Sequence, residues 1–223
     1  MKASGLILSV NKPRGWSSFA VVNKLRRALK WKSVGHAGTL DPAADGVLIV
    51  LFGDATKRCD EFMDLPKEYV AGIRFGVTTE TDDLDGVVTQ ACDIADWSET
   101  RIANALKNFV GVIEQTPPAV SAIKIRGRRS YQLARAGKPE LAPPRKIQIY
   151  SLRILEIRRP EIRVAVSCSR GTYVRSLARD LGAMMGWGGA LSSLTRTAVG
   201  PYRVEQAFIV SDLVRCCPEF VFE

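Results

Sequence analysis
The sequence predicts a mixed α/β protein of the α+β kind, with a largely antiparallel central sheet and helices packed on it. Three observations lead there. Seven segments alternate apolar and polar residues, or run apolar with β-branched side chains, as strands do. Other segments repeat apolar residues at helical spacing. The two kinds interleave without the regular βαβ period of a parallel sheet. With 223 residues and 46% apolar composition, the chain can build a sizeable core, as one large domain or two small ones.

The first strand is expected at Leu6–Asn11, a short apolar run. A helix follows at Ser18–Leu29, where Val21, Val22, Leu25 and Leu29 form one stripe and Lys24, Arg26 and Arg27 stay on the wetter side. Ser17 or Ser18 is placed to cap it. Val47–Phe52 is continuously apolar and reads as a core strand. Strands are next expected at Tyr69–Phe75 and Val87–Gln90, separated by the acidic, turn-like Thr78–Asp85, which reads as lying outside the core. A helix is expected at Glu99–Phe109 and a strand at Ala119–Ile125. The stretch from Lys124 to Lys146 is basic, rich in Gly and Pro, and reads as an excursion holding a short helix at Ser130–Ala136. Ile147–Ile157 is a long strand. Its apolar positions shift from Ile147 and Ile149 to Leu152 and Ile154, which suggests a bulge. A strand at Arg163–Ser169, a helix at Tyr173–Met185 and a short helix at Ser211–Arg215 complete the set.

Charge and composition exclude several classes. Net charge is 32 − 23 = +9, which fits a solvated basic face or a field that attracts nucleic acid or anionic membrane, and charge alone does not choose between these. No apolar stretch reaches the roughly 20 residues of a membrane span. The run Leu6–Val10 is too short for a signal peptide core, so a cytoplasmic protein is expected. The five cysteines, at 59, 92, 168, 216 and 217, are odd in number and irregular in spacing, which argues against a disulfide framework. With no CxxC pair and one histidine, neither a zinc site nor a zinc-dependent base deaminase is expected. Neither GxGxxG nor GxxxxGK[ST] stands between a strand and a helix, which disfavours Rossmann and P-loop enzymes.

The segment most suggestive of chemistry is Gly35-His36-Ala37-Gly38-Thr39-Leu40-Asp41-Pro42. It contains the single histidine, and Pro42 biases Asp41 toward an extended or turn geometry. It reads as a rigid loop, braced by the strand after it, presenting one carboxylate and one imidazole. Taken alone, Asp41 is better explained as a turn cap before Pro42.

Five separated blocks change that balance. They are Asn11 to Ser18, Gly35 to Gly46 with Leu51 to Lys57, Lys67 to Tyr69, Pro117 to Lys124, and Cys168 to Arg175. In this order they resemble the TruB family of pseudouridine synthases over nearly the whole chain. The resemblance implies the pseudouridine synthase fold with an RNA-gripping insertion, here residues 124–146. It implies isomerisation of the T-arm uridine of tRNA, a redox-neutral reaction with no cofactor. It makes Asp41 the catalytic carboxylate, as nucleophile or as stabiliser of the detached sugar. Arg175 is expected to pair with Asp41, since a guanidinium holds a carboxylate ionised and oriented. Tyr69 is expected to stack on the flipped uracil and help remove its C5 proton. Lys67 before it suggests a basic, RNA-facing edge. His36 is expected to position substrate, with Lys12 and Tyr173 as further pocket residues. Within the insertion, Lys124, Arg126, Arg128, Arg129 and Arg145 are expected to meet phosphates, together with Arg135, Lys138 and Lys146. The insertion is expected to order on RNA binding.

Residues 1–215 are expected to form the catalytic domain and 216–223 a tail, without the separate PUA-type RNA-binding domain many bacterial members carry. The partner implied is tRNA through its T arm, with no membrane, metal or obligate protein partner, and a monomer. Two other readings are weighed against this one. A non-catalytic tRNA-binding or folding protein would not need Asp41, Tyr69 and Arg175 together. A synthase for another RNA would share that trio and differ in target.

Overall fold
The computed structural model describes residues 4–121, 123–125, 127–130, 136 and 140–216, giving only the backbone for 124, 125, 128 and 129. The chain divides into two compact units: Met1–Tyr69 with Leu194–Glu223, and Val70–Ser193.

In the first unit, β1 (Gly5–Lys12) pairs antiparallel with β3 (Asp45–Gly53) along its whole length, from Gly5 opposite Gly53 to Lys12 opposite Gly46. The short β2 (Val34–Ala37) also lies antiparallel to β3. The strand β12 (Gly189–Val199) meets β3 in parallel at Thr195 and Arg196. Its end turns back through β13 (Tyr202–Arg203). On the other side of β1 lies β14 (Phe208–Ile209), in parallel. Helices α1 (Ser18–Ala28), α2 (Cys59–Asp64) and α5 (Val210–Cys216) belong to this unit.

The continuous apolar run of β3 is explained by burial on both faces. Leu48, Val50 and Phe52 pack with Val21, Val22 and Leu25 of α1. Val47, Ile49 and Leu51 pack with Ala55, Phe62 and Val199 on the opposite face. Alternate side chains of a strand point to opposite faces, so two cores demand an unbroken apolar sequence.

In the second unit, β10 (Arg145–Arg158) is the long strand, antiparallel to β11 (Glu161–Cys168) and β7 (Gly111–Gln115). Its register shifts between Ile149 and Ser151, where the change of inward face suggests a bulge, and again between Ile154 and Glu156. Strand β4 (Lys67–Phe75) neighbours β11. The pair β5 (Val77–Thr79) and β6 (Val88–Ala91) forms a hairpin, and β8 (Lys124–Ile125) with β9 (Arg128–Arg129) forms another. Helices α3 (Glu99–Lys107) and α4 (Val174–Met185) complete the unit. Its aromatic packing centres on Trp187, stacked on Trp97 at 5.6 Å and edge-on to Phe75 at 5.5 Å.

Two expectations are corrected. Residues 119–121 are bends rather than strand, following the prolines at 117 and 118, and among the described residues of that segment only Lys124–Ile125 pairs. The acidic segment 78–85 is not outside the core: Thr79 and Asp82 are buried. The helix expected over 130–136 lies, but for its two ends, outside the described residues, as do Arg126, Arg135, Lys138 and Cys217.

Candidate active site
The loop carrying Asp41 is fastened from three directions, all within the first unit. Ser17 caps α1 by accepting from the Ala20 amide at 3.0 Å, which leaves Ser18 for another task. The buried Ser18 hydroxyl accepts from the Leu40 amide at 2.9 Å and donates to the Leu40 carbonyl at 3.0 Å. The Gly15 amide donates to the Pro42 carbonyl at 2.8 Å. Arg196, 1% exposed, donates from Nε to the Val47 carbonyl at 2.7 Å and from Nη2 to the Gly38 carbonyl at 3.0 Å. The guanidinium therefore clasps both ends of the loop. Gly46 is required where the loop rejoins β3: its φ is +102°, and a Cβ there would stand 2.2 Å from the Arg196 carbonyl oxygen. Asp41 emerges half-buried between these anchors.

Beneath the loop lies Lys12, wholly buried, its ammonium donating to the carbonyls of Trp16 at 2.6 Å and Pro13 at 3.0 Å. Burial lowers its pKa from 10.5 to about 8, against the opposing attraction of Asp45 and Asp41 and with the help of nearby Arg196. Lys12 thus ties down the turn at residues 13–16, whose Gly15 holds Pro42, and does not reach into solvent. The unfolded chain holds the proton up to about pH 10.5 and the folded chain only to about 8. Stability therefore rises with pH across that window, and the cost of the buried cation is fully present below it. Relative to Lys12→Met, wild type should gain up to about 3 kcal/mol between pH 7.5 and 10.5 in denaturant titrations. Parallel pH dependences for the two proteins would show that Lys12 carries no such penalty.

His36 sits on β2, and its Nδ1 is buried without a hydrogen-bond partner among the described residues. Burial, then the Arg196 charge, lowers its pKa, so the ring is neutral at pH 7. A neutral imidazole suits contact with substrate better than charge pairing. Tyr69 is 9% exposed and shares one face of β4 with Lys67 and Ala71. Lys67 does not form a basic edge. It is buried, and its ammonium donates to the carbonyls of Met63 and, at 2.6 Å, Leu65, so it closes the C-terminal end of α2.

In the second unit, Arg175 and Arg179 stand one turn apart on α4. Arg175 is buried. It donates to the Thr81 carbonyl at 2.7 Å and the Val120 carbonyl at 3.0 Å, with Asp83 at 3.7 Å. Arg179 pairs with Asp82 at 2.9 Å and donates to the Thr116 carbonyl at 2.9 Å. Burial raises the Asp82 pKa, partly offset by Arg179 and Arg175. The acidic turn thus seats the arginine-bearing helix. Tyr173 stands at the N-cap of that helix, anchored by a buried glutamine: Gln115 accepts from its amide at 2.8 Å and donates to its carbonyl at 3.0 Å. The Arg145 guanidinium lies 4.9 Å from the centre of the Tyr173 ring and donates to the Gly171 carbonyl.

The structure therefore gathers Lys12, His36, Asp41, Asp45 and Arg196 in one unit, and Arg145, Tyr173 and Arg175 in the other. Asp41 and Arg175 belong to different units, so their expected pairing stays a proposal. The side chains of Lys124, Arg128 and Arg129 are not described. Sequence reasoning missed Arg196, Gln115 and the Asp82–Asp83 turn as parts of this machinery. The available signal was a lone arginine in the alternating run Leu194 to Val199, too weak to separate from a surface cation.

A family model for TruB family pseudouridylate synthase (N terminal domain) matches residues 26–174. The chain belongs to the TruB family. Its TruB relatives include the protein named tRNA pseudouridine synthase B of Corynebacterium diphtheriae, 47% identical over 217 residues, which span 94% of this chain and 72% of that protein. The protein of the same name from Bacteroides fragilis is 46% identical over 208 residues, 91% of this chain and 89% of that one. That of Trichormus variabilis is 42% identical over 209 residues, 92% and 71%. Among solved structures, a Cbf5–Nop10–Gar1 complex aligns with a TM-score of 0.73 at 30% identity, over 95% of this chain and 54% of that one. An H/ACA RNP bound to a substrate RNA containing 2′-deoxyuridine aligns at 0.71 and 28% identity. The chain spans about half the length of those two solved chains. These matches establish the pseudouridine synthase fold, read from sequence as a mixed, largely antiparallel α+β architecture.

Proposed function
We propose that this TruB-family protein is a tRNA pseudouridine synthase, an isomerase that converts the T-arm uridine at position 55 to pseudouridine. The observation that carries the reading is the Asp41 loop, whose backbone is clamped by Ser18, Gly15 and Arg196 on both sides of that one carboxylate residue. It is supported by relatives of that name that align with nine-tenths or more of the chain.

The reaction breaks the N1–C1′ bond and forms C5–C1′ within one nucleotide. The C5 proton leaves and N1 regains one, so the sum is redox-neutral. Asp41 serves as nucleophile, toward base or sugar, or steadies the detached sugar. Tyr69 forms an aromatic wall for the flipped uracil and takes part in loss of the C5 proton. Arg175 acts as the active-site arginine of its motif, and neutral His36 contacts the RNA loop. The insertion 124–146 grips the tRNA through its cations. In the same proposal residues 1–215 form the catalytic domain, and the protein works as a cytoplasmic monomer without metal or protein partner.

Tyr69→Phe keeps the ring and removes the hydroxyl. Turnover should fall by roughly 10²–10⁴ with tRNA affinity retained; unchanged kinetics would confine Tyr69 to packing. The proposal as a whole is tested with tRNA tritiated at uridine C5. Release of one equivalent of tritium per tRNA supports it. No release, with tight binding, would favour a tRNA-binding protein instead.

A further inference from the structure
The first forty residues contain eight lysines and arginines and no aspartate or glutamate. That segment alone contributes +8, almost the whole net charge of +9. Six of the eight are exposed: Arg14, Lys24, Arg26, Arg27, Lys30 and Lys32. Lys24, Arg26 and Arg27 lie on α1 away from the buried stripe Val21, Val22 and Leu25, while Arg14 precedes the helix and Lys30 and Lys32 follow it. Two exposed aromatics stand at the start of the same helix, Trp16 at 38% and Phe19 at 67% exposure. Folding alone does not account for this. Arg26 and Arg27 in the last turn and Lys30 just past the C-cap complement the helix dipole, but Arg14, Lys24, Lys32 and the exposed rings gain nothing from it. A merely solvated helix face would mix carboxylates with its cations, since i,i+4 pairs favour the helix.

The face also has a fixed position relative to the chemistry. Ser18, the first residue of α1, is bonded to Leu40, and Gly15 to Pro42, one residue on either side of Asp41. The aromatic end of the helix therefore abuts the Asp41 loop. Its basic end lies about 16 Å further along, at 1.5 Å per residue.

We infer that the exposed face of α1 is a second RNA-binding surface, whose cations contact phosphates of the tRNA beyond the target nucleotide while Phe19 stacks on an unpaired base. This rests on the reading of tRNA as substrate. It is separate from the basic insertion, which belongs to the other unit. Phosphate contacts of this kind position the substrate without reading its sequence.

The test compares binding of unmodified tRNA across a range of salt concentrations by wild type and by Arg26→Gln/Arg27→Gln/Lys30→Gln, with thermal unfolding as the check on folding. The triple variant should lower the slope of log affinity against log salt by about 2–3 and weaken binding roughly tenfold at 0.1 M salt, with turnover at saturating tRNA retained. A control, Arg153→Gln/Arg158→Gln/Arg163→Gln, removes the same charge from exposed positions of the second unit and should keep the wild-type slope. Phe19→Ala should weaken binding at unchanged slope. A wild-type slope in the α1 variant overturns the inference, and so does an equal loss in both triple variants, which would make the effect one of net charge. Wild-type affinity in Phe19→Ala overturns the stacking part. Charge-dependent binding to phosphatidylglycerol vesicles with an unaltered tRNA slope would assign the face to a membrane surface and overturn it too. Binding is read without turnover, so a protein that binds through α1 and forms no pseudouridine would fail the proposed activity alone.

Discussion
Asp41→Asn lowers turnover on unmodified tRNA by about 10⁴-fold or more and leaves tRNA affinity within about threefold of wild type. The substitution exchanges one carboxylate oxygen for an amide nitrogen and keeps the shape. Three contacts fasten the loop: the Leu40 backbone to Ser18, the Pro42 carbonyl to Gly15, and the Gly38 carbonyl to Arg196. None of them uses the Asp41 side chain, so the loop keeps its path while the carboxylate is lost. An effect on turnover without one on affinity is the signature of a group that acts at the reacting atoms. Near-normal turnover would remove Asp41 from that role.

Arg196→Met is expected to cost about 3–5 kcal/mol of stability, because it leaves the buried carbonyls of Gly38 and Val47 without their donor. Methionine fills most of the stem volume, so the loss is mainly one of hydrogen bonds and not of packing. For a chain of this size the melting temperature should fall by roughly 6–20 °C. Turnover at a temperature where the variant stays folded should also fall, since the loop between residues 38 and 47 loses its clasp. A variant with wild-type melting temperature would show that the clasp is dispensable.

What could be read from sequence follows from how local each signal is. The stripe of α1 and the run of β3 were legible because their burial follows from the elements themselves. The first bulge of β10, between Ile149 and Ser151, was legible for the same reason, as the apolar positions change phase there; the second was not. Strand β12 was not, because Gly189–Val199 is rich in Ser and Thr and contains Arg196, whose burial depends on the carbonyls of a distant strand. The short α2 has too few residues to show a period. Strand β7 exposes Val112 and buries Gln115, the reverse of its apparent preference, because Gln115 anchors the helix at Tyr173. At the site, the Asp41 motif was visible as a block of residue types. Its supports were not, since Ser18, Gly15 and Arg196 reach the loop only through tertiary contacts. Lys67 was misjudged for a related reason: a lysine reads as solvated until its helix-end carbonyl partners are known.

The measurement that bears most directly on the account is pseudouridine formation in an unmodified tRNA transcript, mapped by position, for wild type beside Asp41→Asn. Product at the T-arm uridine that vanishes in the variant is the expected result. Product at that uridine from both proteins, or from neither despite tight binding, would contradict the assignment of Asp41 or of the activity itself.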